Sequence, residues 1–260
     1  MQRGTIAIAG VELDLFEDGD GPPTLFLHGA QGIEPEHPYV RLLSARRHLI
    51  APSHPGFGKS SLPDWIDAVD DIAHIYLELL DRLGTPPLDM VGCSIGGWIA
   101  AELATKSPAS VRRLVLVGPV GVKTGPVDRL DIPDIFALPQ DQMERLLYHD
   151  PERMRVDPSR LTDEQLATGA RDRETLALLA WEPYMHNPKL RHRLHRVAAP
   201  TLFLRGESDG LVSAEYLAAY ARLLPNAHTD TIAAAGHAPH VEQPEAFART
   251  VLAFLDARAV

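Results

Sequence analysis

A chain of 260 residues with 45% apolar and 23% charged positions has enough hydrophobic material for a sizeable core, which excludes a disordered or fibrous protein. A formal net charge of −10 argues against a nucleic-acid surface, which needs clustered Lys and Arg to displace counterions from phosphates. The one cysteine, Cys93, excludes an internal disulfide and any Cys-x-x-Cys metal site, and points to a reducing compartment.

The opening stretch "MQRGTIAIAGVELDLFEDGDG" lacks the unbroken apolar core of a secretion signal, and no segment approaches the ~18 apolar residues needed to cross a bilayer. The expectation is a cytoplasmic protein without a membrane anchor. Its two apolar runs, separated only by Ala9-Gly10, predict an antiparallel hairpin at a sheet edge. Short apolar runs recur at 24–27, 49–51, 88–91 and 114–117. Between them lie segments with helical spacing, such as Ile72, Ile75, Tyr76, Leu79, Leu80 and Leu83. Strands that are apolar on both faces and joined by helices imply a mostly parallel sheet covered on each side.

The alternation breaks after Gly118-Pro119. Residues 120–197 show no strand but three or four helical stretches. "LPQDQMERLLYHD" puts Met143, Leu146 and Leu147 on one face, and Thr162 with Gln165 forms a capping box for a helix that must end before Pro183. "PKLRHRLHRV" sets Leu190 and Leu194 one helical turn apart. Strand character resumes with "APTLFLRG" and again near 229–232, ahead of a last helix. The sheet is thus interrupted, not finished: a core of residues 1–119 and 198–260, with 120–197 as a helical insertion at the strand ends.

In open parallel sheets, ligands bind beyond the carboxyl ends of the strands, so chemistry should be sought there. Ser94 sits at such a place, between Gly92 and Gly96, where an apolar run gives way to a helix. A serine projecting from so sharp a turn needs neighbours without side chains, and the helix beginning near Gly96 offers free N–H groups to a developing oxyanion. Serine alone is a poor nucleophile and needs a base and an orienter. "RGESDG" supplies Asp209, with Glu207 as its rival, and "AGHAPHVEQPEAF" supplies His237, with His240 as its rival.

Ser, Asp and His in that order resemble the α/β-hydrolase family. Five motifs carry the resemblance across nearly the whole chain: "LFLHGA", "IAPSHPGFGKS", "GCSIGG", "GESD" and "GHAPHVEQPEAF". His54 stands where that family more often has an aspartate. The resemblance implies a mostly parallel eight-stranded sheet with helices on both faces and a helical cap inserted after the sixth strand. It assigns Ser94 as nucleophile, His237 as base, Asp209 as acid, and the backbone N–H groups of Ala30 and Ile95 as the oxyanion hole. His28 reads as a structural residue bonding loop backbone, Cys93, Trp98, Trp181 and Tyr184 as packing residues, and His192 and His195 as a solvated helix face. No cofactor and no metal are implied, and the partner is a small molecule, not nucleic acid or membrane.

A serine at the elbow excludes the aspartate-nucleophile branches of the family. The expected reaction is hydrolysis of a carboxylic ester of small to medium, largely apolar character. A carbon–carbon bond hydrolase of the meta-cleavage-product type shares the fold and triad. That alternative usually carries a glycine-rich "HGxGPG" loop and an aromatic residue after the histidine, where this chain has "HGAQGI" and Ala238. A non-catalytic small-ligand binder on the same fold is a further alternative.

Overall fold

In the computed structural model, which describes residues 2–84 and 87–257, eight strands form one sheet in the order β1-β2-β4-β3-β5-β6-β7-β8. Strands β1 (Gln2–Ile8) and β2 (Val11–Asp18) make the antiparallel hairpin predicted from Ala9-Gly10, with both turn residues at positive φ. β2 also runs antiparallel to β4 (His48–Pro52). β3 (Pro23–Leu27), β4, β5 (Leu88–Cys93), β6 (Val111–Val117), β7 (Thr201–Gly206) and β8 (Ala227–Ile232) are parallel. β5 is buried along its whole length, which explains why all its residues but Asp89 are apolar or small.

Helices cover both faces. α1 (Pro38–Ser44) and the C-terminal α9 (Pro244–Asp256) pack together on one face, where Tyr39, Val40, Leu43, Phe247 and Val251 meet Val91, Val115 and Leu204. α2 (Val69–Leu83), α3 (Ile95–Lys106) and α7 (Ala214–Ala221) cover the other. The helical spacing read in α2 puts Ile72, Ile75, Tyr76, Leu79 and Leu80 into this core, and the helix stops at Gly84 in the left-handed conformation.

The chain between β6 and β7 holds α4 (Gln140–Leu147), α5 (Pro151–Met154) and α6 (Asp163–Ala180). Thr162 and Gln165 make the reciprocal capping bonds expected of them, at 3.2 and 2.9 Å. α6 docks on the loop after β4: Asp172 accepts from Gly58 N–H at 2.9 Å, and Thr175 donates to the Gly56 carbonyl at 3.1 Å. "PKLRHRLHRV" does not form the expected helix but two 3-10 turns, Leu190–His192 and Leu194–Arg196. With the two leucines fully buried and the segment confined between Asn187 and β7, the turns close by i→i+3 bonds, and there is too little length to repay an α-helical nucleus. His192 and His195 are exposed there, on turns instead of a helix face.

At the far end of the sheet, where the parallel strands begin, Arg47 is almost wholly buried. It donates to Asp89 at the start of β5 at 2.9 Å, and to Asp256 at the end of α9. Arg112 reaches the same Asp89 oxygen from β6. No helix among the described residues is long and apolar enough to cross a membrane.

Candidate active site

Ser94 follows the last residue of β5 and precedes α3 with φ 53° and ψ −116°, a conformation costly for any residue with a Cβ. The turn is held by Ser94 N–H donating to the Val117 carbonyl at 2.8 Å, while the Ser94 carbonyl accepts from Trp98 at 3.2 Å. Its two glycines are required by close approach. A Cβ on Gly92 would lie 2.5 Å from the Gly96 carbonyl oxygen, and one on Gly96 would lie 2.2 Å from that of Leu27. Cys93 is buried, and burial pushes its thiol pKa up, so it behaves as a small core residue.

The loop after β7 delivers Asp209. One carboxylate oxygen accepts from the N–H groups of Leu211 and Val212 at 2.9 and 2.8 Å, and the other meets Nδ1 of His237 at 2.9 Å. Glu207 is exposed and takes only a 3.3 Å bond from Ala234 N–H. The carboxylate therefore puts the imidazole proton on Nδ1 and leaves the lone pair on Nε2. Nε2 of His237 is buried and has no partner among the described residues.

Ser94 and His237 line one cavity of about 270 Å³, together with Ala30, Ile95, Val120, Ile135, Phe136, Met143, Leu147, Leu176 and Met185. The N–H groups of Ala30 and Ile95 donate to no other described residue. Ile95 opens α3, so its N–H has no acceptor within the helix. The Ser94 hydroxyl makes no hydrogen bond to a described residue, so the serine and Nε2 share the cavity without a closed bond between them.

His28 and His54 brace the loop after β3 from behind. Their rings stack at 3.8 Å; His28 bonds the Gly29 carbonyl and the His54 N–H, and His54 bonds Tyr76 and the His28 carbonyl. Burial pushes the His28 pKa down to about 4 and lowers that of His54 well below its ordinary value, so both are neutral. Trp98 is buried on α3, whereas Trp181 is half exposed, tilted against Phe136 and edge-on to Tyr184.

A strap at the end of α4 contributes what the spacing of motifs did not reveal. The Leu146 carbonyl accepts from Gly210 at 2.9 Å, and the Leu147 carbonyl from His237 N–H at 2.6 Å. Tyr148 takes a bond from Gln31 in the loop after β3. Glu242 on α8 (Pro239–Glu242) accepts from Gly236 and from His149, both at 2.8 Å, joining histidine loop to strap. Its one sequence signal is its place five residues after His237. No group of three or more His, Cys, Asp or Glu able to hold a metal occurs among the described residues.

The sequence model of the alpha/beta hydrolase family matches residues 24–250. A 2-hydroxymuconate semialdehyde hydrolase from Pseudomonas putida is 29% identical over 268 residues, covering 96% of this chain and 92% of its own. Among solved structures, a thermophilic esterase from Thermogutta terrifontis superposes with a TM-score of 0.77 at 24% identity over 98% of both chains. A meta-cleavage product hydrolase from Pseudomonas fluorescens does so with 0.74 at 22% identity over 97% of both. At these identities the structural likeness is one of fold.

Proposed function

Since the chain belongs to the alpha/beta hydrolase family, we propose that it is a serine hydrolase cleaving a carboxylic ester of small to medium, largely apolar character. Ser94 Oγ attacks the ester carbonyl while Nε2 of His237 takes its proton; the same nitrogen then protonates the departing alcohol. Asp209 fixes the tautomer and stabilises the imidazolium. The N–H groups of Ala30 and Ile95 bind the oxyanion, each worth ~3–4 kcal/mol in comparable sites. Water, activated by the same histidine, releases the acid and restores Ser94. Residues 120–197 serve as the lid of this reading, over a core of 1–119 and 198–260.

The observation that carries the proposal is the Asp209–His237 bond at 2.9 Å, with Nε2 unpartnered at a cavity that Ser94 also lines. The walls favour an ester over a carboxylated substrate. Arg173 is the only arginine or lysine on them among the described residues, and it is exposed, lying 5.9 Å over the Phe136 ring. The second reading, carbon–carbon cleavage of a meta-cleavage product, is favoured by the relative from Pseudomonas putida. Rates across aryl esters of increasing acyl length, with a vinylogous dienoate ketone included, separate the two. Short and medium esters are expected to lead, and Ser94→Ala to abolish turnover with the fold intact. A ketone that outpaces every ester would replace the first reading by the second. No fluorophosphonate adduct on Ser94 in folded protein would leave a ligand-binding protein instead.

A further inference from the structure

The cavity wall is not apolar throughout. His37, Tyr39 and His240 form a row of rings in its lining: the first two centroids are 5.1 Å apart, the last two 5.0 Å. Tyr39 belongs to α1 and His37 immediately precedes it, while His240 lies on α8, three residues beyond His237. Phe26 and Phe247 back the row, 5.4 Å from Tyr39 and 5.7 Å from His240.

None of the three side chains hydrogen-bonds a described residue, and Nδ1 of both histidines is sealed from solvent without a partner. Buried polar atoms nearly always find one. The contrast with His28 and His54 is direct, since all four of their ring nitrogens are engaged by the protein. Imidazoles that serve this fold are saturated; those of the row are not.

A neutral imidazole has one donor and one acceptor. With Nδ1 of His240 closed in, the proton is better placed on Nε2, where a group in the cavity can accept it, because a buried N–H without a partner is the rarer orphan. Burial pushes the His240 pKa down to about 3, with His37 and His237 adding to the effect, and lowers that of His37. It raises that of Tyr39. The row is uncharged at neutral pH, and Glu34 is part of the same lining. A carboxylate would be repelled by Glu34 and meet no positive charge on these three rings; Arg173, the one arginine or lysine on the lining among the described residues, lies over Phe136 instead. An ether oxygen would use only the donors. A hydroxyl, donor and acceptor in one atom, matches imidazole N–H and phenol together.

We propose that His37, Tyr39 and His240 form a polar subsite for a neutral hydroxyl, so that the preferred ester carries a free alcohol or phenol group; this rests on the hydrolase reading above. The subsite is a specificity element and takes no part in bond cleavage.

The test uses matched aryl butyrates bearing a single hydroxyl, methyl or carboxylate on the acyl chain or the ring. Their binding is measured by calorimetry on Ser94→Ala protein, which separates binding from turnover. The best hydroxylated ester is expected to bind about tenfold tighter than its methyl counterpart, falling to about threefold or less in His240→Phe, with His240→Gln keeping part of the advantage. If His240→Phe melts far below the parent by circular dichroism, Tyr39→Phe gives the same comparison. A missing advantage, one unchanged in the folded variant, or a preference for the carboxylate overturns the subsite. Protein with Ser94 intact that hydrolyses no member while the binding preference holds overturns the hydrolase reading and leaves the subsite standing.

Discussion

Two carboxylates lie two residues apart after β7, and only one faces the imidazole. Asp209 spends one oxygen on two backbone N–H groups and the other on His237, whereas Glu207 is exposed. Under the proposed mechanism, Asp209→Asn presents an amide N–H to Nδ1, favours the wrong tautomer and should lower kcat by about 10⁴-fold. Glu207→Gln should change kcat less than about threefold, since a weak solvent-facing bond is all it alters. Steady-state kinetics on one ester decide between them. The residues of this site are legible in the sequence because each is tied to a strand end and to neighbours chosen by close approach. Gly92 and Gly96 announce Ser94 for a steric reason visible before any coordinates, namely that a Cβ at either would strike backbone. His37 and His240 are not legible in this way, because an unsatisfied nitrogen is a property of surroundings and not of residue type.

At the scale of elements, the strap behind α4 links parts of the chain far apart in sequence. Glu242 is the tie, one oxygen on the histidine loop and one on the strap. Glu242→Gln replaces one acceptor by an amide donor opposing a backbone N–H, and each lost charge-assisted bond costs ~1.5–3 kcal/mol. The His237 loop should loosen, lowering kcat by about 10- to 100-fold with KM changed much less, since small misplacements of a catalytic group act on rate. A variant with normal kcat and altered KM would disprove this role. Hydrophobic spacing made α2 and α6 readable, because both bury a regular face or open with a capping box. It failed at "PKLRHRLHRV", where two leucines at helical spacing are satisfied equally well by 3-10 turns. The strap was out of reach too, being made of carbonyls that carry no sequence signature.

For the molecule as a whole, the buried histidines set the response to acid. His28 titrates near 4 in the folded chain against an ordinary 6.5, and His54 is lowered for the same reason, burial of the charged form. As pH falls from about 6.5 towards 4, the unfolded chain binds protons that the native one refuses, so stability drops, and the contribution of His28 flattens below its folded value. The loss attached to His28 alone is of order 3 kcal/mol. Urea midpoints at pH 7, 5.5 and 4.5 should decline in that order, with a shallower decline in His54→Gln; equal slopes in the two proteins would refute this. The sheet was legible at this scale through strands apolar on both faces and the Ala9-Gly10 hairpin, whereas its strand order depends on crossovers that only packing decides.

Strand β5 carries Asp89 at its foot and hands over to Ser94 at its head, about 16 Å away at the usual rise per residue. Charge locked against Arg47 anchors one pole, while bent backbone readies the other. Natural selection can thus harden the base against heat and retune the rim for new substrates as nearly independent traits, because a single rigid ribbon holds them apart.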